Sequence, residues 1–203
     1  MNNFDLIVIG ACHGFWLEND VKKCSNKVLL IEPVKYNFDQ LKNRFENYKN
    51  IIFENIAISE KNGLIDFFYV LESSIDKLKK HWASGIGSFS KEHILEHKTK
   101  KFQISEKDIK RVSVKTITFD ELVKKYKIKY INKLIIDTEG FDYKIIKSIN
   151  FEKIFIKEIV FEKKHLHTTF QIGNKLDEIK DFLSKKNYEL FDISDENVLA
   201  KKI

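Results

Sequence analysis

The sequence predicts an α/β protein, a mostly parallel sheet flanked by helices. Three observations carry that expectation. Short, β-rich apolar runs alternate along the chain with stretches patterned at helical spacing, the signature of strand–helix–strand units. The apolar share is 43%, with 17 Phe in 203 residues, enough for one well-filled domain and too little for two comfortable ones. Seven Gly and one Pro stand where average usage gives about 14 and about 10, so backbone punctuation is sparse and its positions are informative.

Residues 4–9 read as a first buried strand and 16–24 as a short helix. Residues 27–31 (KVLLI) form a second strand, and Pro33 opens a helix to about Tyr48, where its missing N–H costs little. Phe38, Leu41 and Phe45 give that helix an inward face. Residues 51–58 read as a third strand, and Asn62-Gly63 as a hairpin signal leading into an extended run over 64–70. Between about 71 and 111 the pattern lapses into an irregular insert containing Ser73, Ser74, Gly85, Gly87 and Ser88. A strand at 112–116 follows, then Thr118 to Glu121 in capping-box form before a helix to Tyr126. Strands at 134–137 and 158–162, a helix through Ile149 and an amphipathic helix over 174–186 complete the alternation. Runs at 188–193 and 198–203 close the chain as a hairpin. No repeat or linker interrupts it, so residues 1–203 are expected to form one domain.

Charge and cysteine usage narrow the function classes. Thirty-six Lys and Arg against 30 Asp and Glu leave +6 and a pI near 9.0. The run 98–115 holds seven basic residues against two acids, but elsewhere the bases alternate with acids, which disfavours a nucleic-acid partner. Cys12 and Cys24 have neither metal-ligand spacing nor the numbers of a disulfide scaffold. The opening MNNFDLIVIGACHG has an apolar run only a strand long with Asp5 in front of it. It suits neither a signal peptide nor a membrane anchor, and the expected setting is soluble, reducing and cytoplasmic.

In such a sheet, ligands bind beyond the carboxyl ends of the strands, where strand order reverses. After the first strand come Gly10, Ala11, Cys12, His13 and Gly14, small residues that let backbone approach a ligand ahead of a helix N-terminus. This is not G-x-G-x-x-G, which counts against a nucleotide-dependent oxidoreductase. About 20 residues on, Glu32 and Pro33 follow the second strand. Glu32 can accept the two hydroxyls of a ribose, or it can simply stabilise the next helix dipole. Ile56, Ala57 and Ile58 offer apolar contact of the kind an adenine needs, or a plain strand end. Asp137, Glu139 and Asp142 crowd one strand-to-helix junction, where they can cap the helix, hold a metal or act as a base. His165 and His167 follow the 158–162 strand, each a candidate base or an inert imidazole.

Taken in order, GACHG after a strand, LIEP, IAISEKNG, a Ser/Gly-rich segment, VKTITFDEL, LIIDTEGFDYKII and EIVFE resemble the FkbM family of S-adenosylmethionine-dependent methyltransferases over about residues 4–166. The most specific pieces are Thr118, Asp120 and Leu122, and Asp137-Thr138-Glu139-Gly140. The resemblance implies a class I methyltransferase (Rossmann-like) fold: a three-layer sandwich whose mostly parallel seven-stranded sheet ends in an antiparallel hairpin. It implies S-adenosylmethionine as cofactor, with the Gly10–Gly14 loop around its methionine part. Glu32, with Pro33 after it, would hold the ribose; Ile56, Ala57 and Ile58 would flank the adenine, and Asp137 would lie near the sulfonium. Asp137, Glu139 and His165 are the candidate catalytic groups, and no metal is required. The acceptor it implies is a hydroxyl of a saccharide or other small molecule, with the insert, including Trp82 and residues 85–88, as a lid. Val8 and Cys12 depart from the family's loop, which commonly has Asp and Asn there. That departure carries the alternative, a degenerate Rossmann-like module using the basic insert to hold an acidic glycan or nucleic acid.

Overall fold

The computed structural model describes residues 2–166 and 173–203. Its strands and helices run in the expected alternation. The first are β1 (Asn2–Ile9), α1 (Glu18–Lys22), β2 (Lys27–Ile31), α2 (Lys35–Arg44), β3 (Ile51–Glu54), β4 (Ala57–Ile58) and β5 (Gly63–Val70). The insert contributes α3 (Glu72–Leu78), β6 (Gly87–Ser88) and α4 (Lys91–Glu96). The chain continues through β7 (Ile109–Ile117), α5 (Phe119–Tyr126), β8 (Ile128–Ile136), α6 (Asp142–Ser148) and β9 (Phe155–Glu162). It closes with α7 (Lys175–Ser184), β10 (Tyr188–Asp192) and β11 (Asn197–Lys202).

Seven strands form the main sheet in the order β10-β11-β9-β8-β1-β2-β3. β3, β2, β1, β8 and β9 are parallel, and β11 joins β9 antiparallel with β10 as its hairpin partner. This is the class I methyltransferase topology. Alternating side chains bury both faces, as a parallel sheet demands. Ile7, Ile9, Leu29, Ile31, Leu134 and Ile136 pack under α5, α6 and α7, through Leu122, Ile146 and Leu183 among others. Leu6, Val8, Val28, Leu30 and Ile135 pack on the opposite face with Val21 of α1 and Leu41 of α2. Strand order reverses between β1 and β8, where Ile9 pairs with Ile136.

Two expectations change. Residues 51–58 are not one strand: β3 belongs to the main sheet, whereas β4 pairs with β7 in a second sheet of order β4-β7-β5-β6. Asn55 marks the break, its side-chain amide donating to the carbonyls of Glu32 and Pro33 at 2.8 and 3.0 Å. The insert is also more regular than its sequence suggests. β5 and β7 pair antiparallel along their length, bringing its two ends together. Between them α3, β6 and α4 enclose a small core of Val70, Leu78, Ile86, Ile94, Phe102 and Ile104. Its polar sequence conceals this core because each element is short and buries only one or two residues. No helix among the described residues is long and apolar enough to cross a membrane.

Phe102 is 1% exposed at the centre of this insert core. Phe102→Ala is expected to destabilise the protein by about 3–5 kcal/mol. Urea denaturation followed by far-UV circular dichroism should show a single transition at a lower midpoint. A separate early transition would mean that the insert melts independently of the main sheet.

Candidate active site

At the switch point the first chain segment must leave the sheet within one residue. The N–H groups of Gly10 and Ala11 both donate to the Ile31 carbonyl at 3.0 Å, and the Asp137 N–H donates to the Ile9 carbonyl at 2.9 Å. Gly10 turns away with φ +87°, Cys12 follows at φ +49° and Gly14 at φ +77°. Only glycine fits the first position, because a β-carbon there would lie 1.8 Å from the Asp137 carbonyl oxygen.

The resulting hollow is a cavity of about 400 Å³. Gly10, Cys12, His13, Glu32 and Pro33 line it, with Ile56, Ala57 and Ile58 on an apolar wall and Asp137 and Glu139 at the end of β8. Ala11 and Gly14 do not. Ala11 is fully buried in the core beneath the loop, and Gly14 presses its α-carbon against Leu41 and Phe45, so both shape the loop from behind. The insert supplies the opposite wall, including His81, Trp82, Ser84, Gly85, Gly87 and Phe89. Trp82 and residues 85–88 were expected there as a lid; His81 was not singled out. Main-chain and side-chain bonds fix this wall. Asn37 of α2 donates to the Ser84 carbonyl at 2.7 Å, and the Ser88 hydroxyl donates to the Glu139 carbonyl at 3.3 Å.

The carboxylates meet different surroundings. Glu32, 5% exposed, accepts the N–H groups of Cys12 at 2.9 Å and Val34 at 2.8 Å, one on each oxygen, leaving lone pairs toward the cavity. Burial pushes its carboxyl up to about 7, against those two hydrogen bonds. Burial and the Glu32 charge push the Cys12 thiol up to about 12. Asp137 is open to the cavity yet surrounded by protein, and that burial, with Asp142, Glu139, Glu162 and Glu32 nearby, raises it well above the usual carboxylate range. Asp142 turns away altogether. It accepts the Thr138 N–H at 2.9 Å, the Thr138 hydroxyl and the Glu162 N–H at 3.0 Å, and so braces the start of α6. The three acids of this junction therefore do not converge on one point.

Glu139 faces elsewhere again. It adopts the left-handed conformation, φ +51°, unusual for a residue with a side chain, and its carboxylate meets three imidazoles. The Glu139 Oε2 atom lies 3.2 Å from His93 Nε2, 3.6 Å from His97 Nε2 and 3.3 Å from His165 Nδ1. Burial raises the Glu139 carboxyl, but the His93 hydrogen bond and the neighbouring imidazoles outweigh it and hold it below its ordinary value. His165 belongs to this cluster and is not among the residues lining the cavity; it also contacts Glu162 Oε2 at 2.8 Å. His167 lies outside the described residues. His93 and His97 escaped the sequence reading because they fall in the insert. Their spacing, H-x-x-x-H, is the signal that would have placed them on one face of a helix.

A family model described as the Methyltransferase FkbM domain matches residues 9–190. No curated protein matches the chain. Among solved structures, the chain is similar to the fibrillarin pre-rRNA processing protein of Methanococcus jannaschii, with 12% identity and a TM-score of 0.50 over 99% of this chain and 66% of that one. The fibrillarin of Aeropyrum pernix, with natively bound S-adenosyl-L-methionine, gives 9%, 0.46, 98% and 66% in the same order. A SAM-dependent O-methyltransferase of Thermotoga maritima gives 10%, 0.49, 100% and 60%. The chain thus spans 60–66% of the length of these three, less than two thirds of each.

Glu32 gives the site a pH signature. Its carboxyl ionises near 4.5 when unfolded and near 7 when folded, so between those values the native state holds the proton more tightly and stability falls as pH rises. Glu32→Gln removes this linkage. The wild-type stability minus that of Glu32→Gln, from urea denaturation, should drop by roughly 3 kcal/mol between pH 4.5 and pH 8. A difference that does not change with pH would show that Glu32 ionises normally.

Proposed function

The chain belongs to the FkbM family of methyltransferases, and on that premise we propose that it transfers a methyl group from S-adenosylmethionine to a hydroxyl oxygen of a saccharide or other small polyhydroxylated acceptor. One observation carries the reading. Two carboxylates, Glu32 and Asp137, follow β2 and β8, the strands that flank β1 and its Gly10 turn, and share one cavity with the apolar wall 56–58. That is the set of groups the cofactor needs. There is an acceptor for two ribose hydroxyls, a flat apolar slot for a purine, and an acid near the end that carries positive charge.

S-adenosylmethionine, when bound, supplies an electrophilic methyl group on a sulfonium centre. The work of the protein is then binding, alignment and handling of one proton. Glu32 uses its remaining lone pairs for the ribose, with both its oxygens already fixed in direction by Cys12 and Val34. Ile56 and Ile58 exclude water from the base. Asp137 is the group best suited to take the acceptor's hydroxyl proton. It is open to the cavity, and its raised proton affinity makes it a stronger base than an ordinary carboxylate. Glu139 and His165, the other two candidates, are engaged with each other and with His93, one layer behind it. Trp16 and Trp82 line the cavity while remaining half-exposed, and such indole faces suit a sugar ring, which has apolar C–H faces as well as hydroxyls. Val8, fully buried in the core, offers the cofactor no charge, so recognition of its amino-acid end falls to the loop backbone and His13.

The proposal is tested by calorimetric titration with S-adenosylhomocysteine, then by transfer of labelled methyl groups to a panel of saccharides and phenols. Glu32→Ala should weaken S-adenosylhomocysteine about 10- to 100-fold. Asp137→Asn should cut turnover by about 10²- to 10⁴-fold while changing that affinity far less. Folded protein that ignores S-adenosylhomocysteine at millimolar concentration would overturn the cofactor assignment.

A further inference from the structure

His93, His97, Glu139 and His165 come from three separate parts of the chain, and one donor-type atom of each lies within 4.8 Å of all the others. The two insert histidines stand four residues apart on α4 and its C-cap, so both rings point to one side. The Ser90 hydroxyl caps that helix by accepting the His93 N–H at 3.2 Å. Glu139 arrives from the loop after β8, in its left-handed conformation, and His165 from the turn after β9. All three imidazoles are buried, with ring centroids 5.0, 5.1 and 5.3 Å apart.

The distances select between two explanations. As hydrogen bonds to one carboxylate oxygen, 3.2, 3.3 and 3.6 Å are long, since N–H···O contacts cluster near 2.9–3.0 Å, and one oxygen cannot direct its lone pairs at three ring donors. As the three edges of a coordination tetrahedron that meet at Glu139 they are ordinary, and the other three edges fall within 4.8 Å. Donors bound at about 2.0–2.1 Å to one tetrahedral ion stand about 3.3–3.4 Å apart. We propose that His93 Nε2, His97 Nε2, His165 Nδ1 and Glu139 Oε2 bind one divalent transition-metal ion, zinc above all. Three imidazoles and one carboxylate favour such an ion over magnesium or calcium, which prefer all-oxygen surroundings. The outer contacts suit it too. His97 Nδ1 lies 3.0 Å from the His93 carbonyl oxygen, which orients Nε2 inward, and an ion at His165 Nδ1 replaces the 2.8 Å contact that this same atom makes with Glu162 Oε2.

Four protein donors fill a tetrahedral site and leave no position for substrate, so the ion serves as a clamp and takes no part in proton or methyl transfer. It fastens α4 of the insert to the loop that carries Asp137 and Glu139. Through His97 it steadies Trp82, whose ring packs 6.2 Å from the His97 ring and 4.6 Å from that of Phe102. The site stands independently of the methyl-transfer reading, because it is read out by metal alone.

The test is titration of chelator-treated, folded protein with cobalt(II), a spectroscopic stand-in for zinc. Saturation at one equivalent, with the intense visible bands of tetrahedral cobalt that vanish as zinc displaces it, is the expected result. His93→Gln and His97→Gln should each weaken zinc binding by at least about 100-fold, more than loss of an outer-shell contact does. Absence of saturable binding by the wild-type protein below millimolar cobalt overturns the proposal, whatever the variants do. So does a variant that folds and binds as tightly as wild type.

Discussion

A β-carbon on Gly10 would lie 1.8 Å from the carbonyl oxygen of Asp137, and the rest of the site depends on that close approach. β1 is held on both sides at its carboxyl end, by β2 through the Ile31 carbonyl and by β8 through the Ile9 carbonyl. The chain can leave only by reversing at once, and three left-handed residues within five accomplish it. Because β1 and β8 send their following segments in different directions, the sheet opens a hollow at its edge. Gly14 completes the turn by letting the loop press on α2, where a β-carbon would meet Leu41 at 2.5 Å and Phe45 at 2.7 Å. Gly10 and Gly14 thus stand where the backbone has no alternative.

That edge also gathers acids, which is costly because like charges and burial both favour protonation. The protein answers in a different way at each one. Glu32 is fixed by two loop N–H groups, and Asp142 by Thr138 and the Glu162 N–H. Even so, burial brings Asp142 up to about 7 and Glu162 up to about 8. Glu139 alone is held below its ordinary value, because imidazoles surround it. Asp137 has no side-chain hydrogen-bond partner among the described residues and faces the cavity, so its carboxyl is the one most open to a ligand, and the same crowding raises its proton affinity. Division of labour among neighbouring carboxylates arises here from where each one points, since their sequence spacing alone would have allowed a single shared site.

Those differences show what a sequence can and cannot display. The parallel sheet, its C-terminal hairpin and the loops after β1, β2 and β8 were legible because strand alternation and small residues leave local marks. Glu32 was found for the same reason, by its place after KVLLI. The insert core was not legible. Its members, from Val70 to Ile104, are spread over 35 residues and show no period, because short elements packed around a hairpin bury one side chain at a time. The division of 51–58 into two sheets depends on Asn55 reaching back to Glu32 and Pro33, a contact across 22 and 23 residues. Likewise, Glu139 could be marked as an acid near the site, but its left-handed backbone and its turn toward His93, His97 and His165 arise only once α4 is folded over it.

The insert is consequently a wall more than a lid. A lid opens at small cost because few buried contacts hold it. Here β5 and β7 clamp both ends, β6 adds to their sheet, and Ser84 and Ser88 are tied to Asn37 and Glu139 on either side of the cavity. Opening would break these bonds and separate α4 from Glu139 together. The most exposed side chains at the cavity rim are the half-exposed indoles of Trp16 and Trp82. On the proposed reading, entry and acceptor selection fall to aromatic rings set on a fixed frame. A frame of that kind would position an acceptor without first having to order a loop, and alignment is where much of the rate of a group transfer is gained.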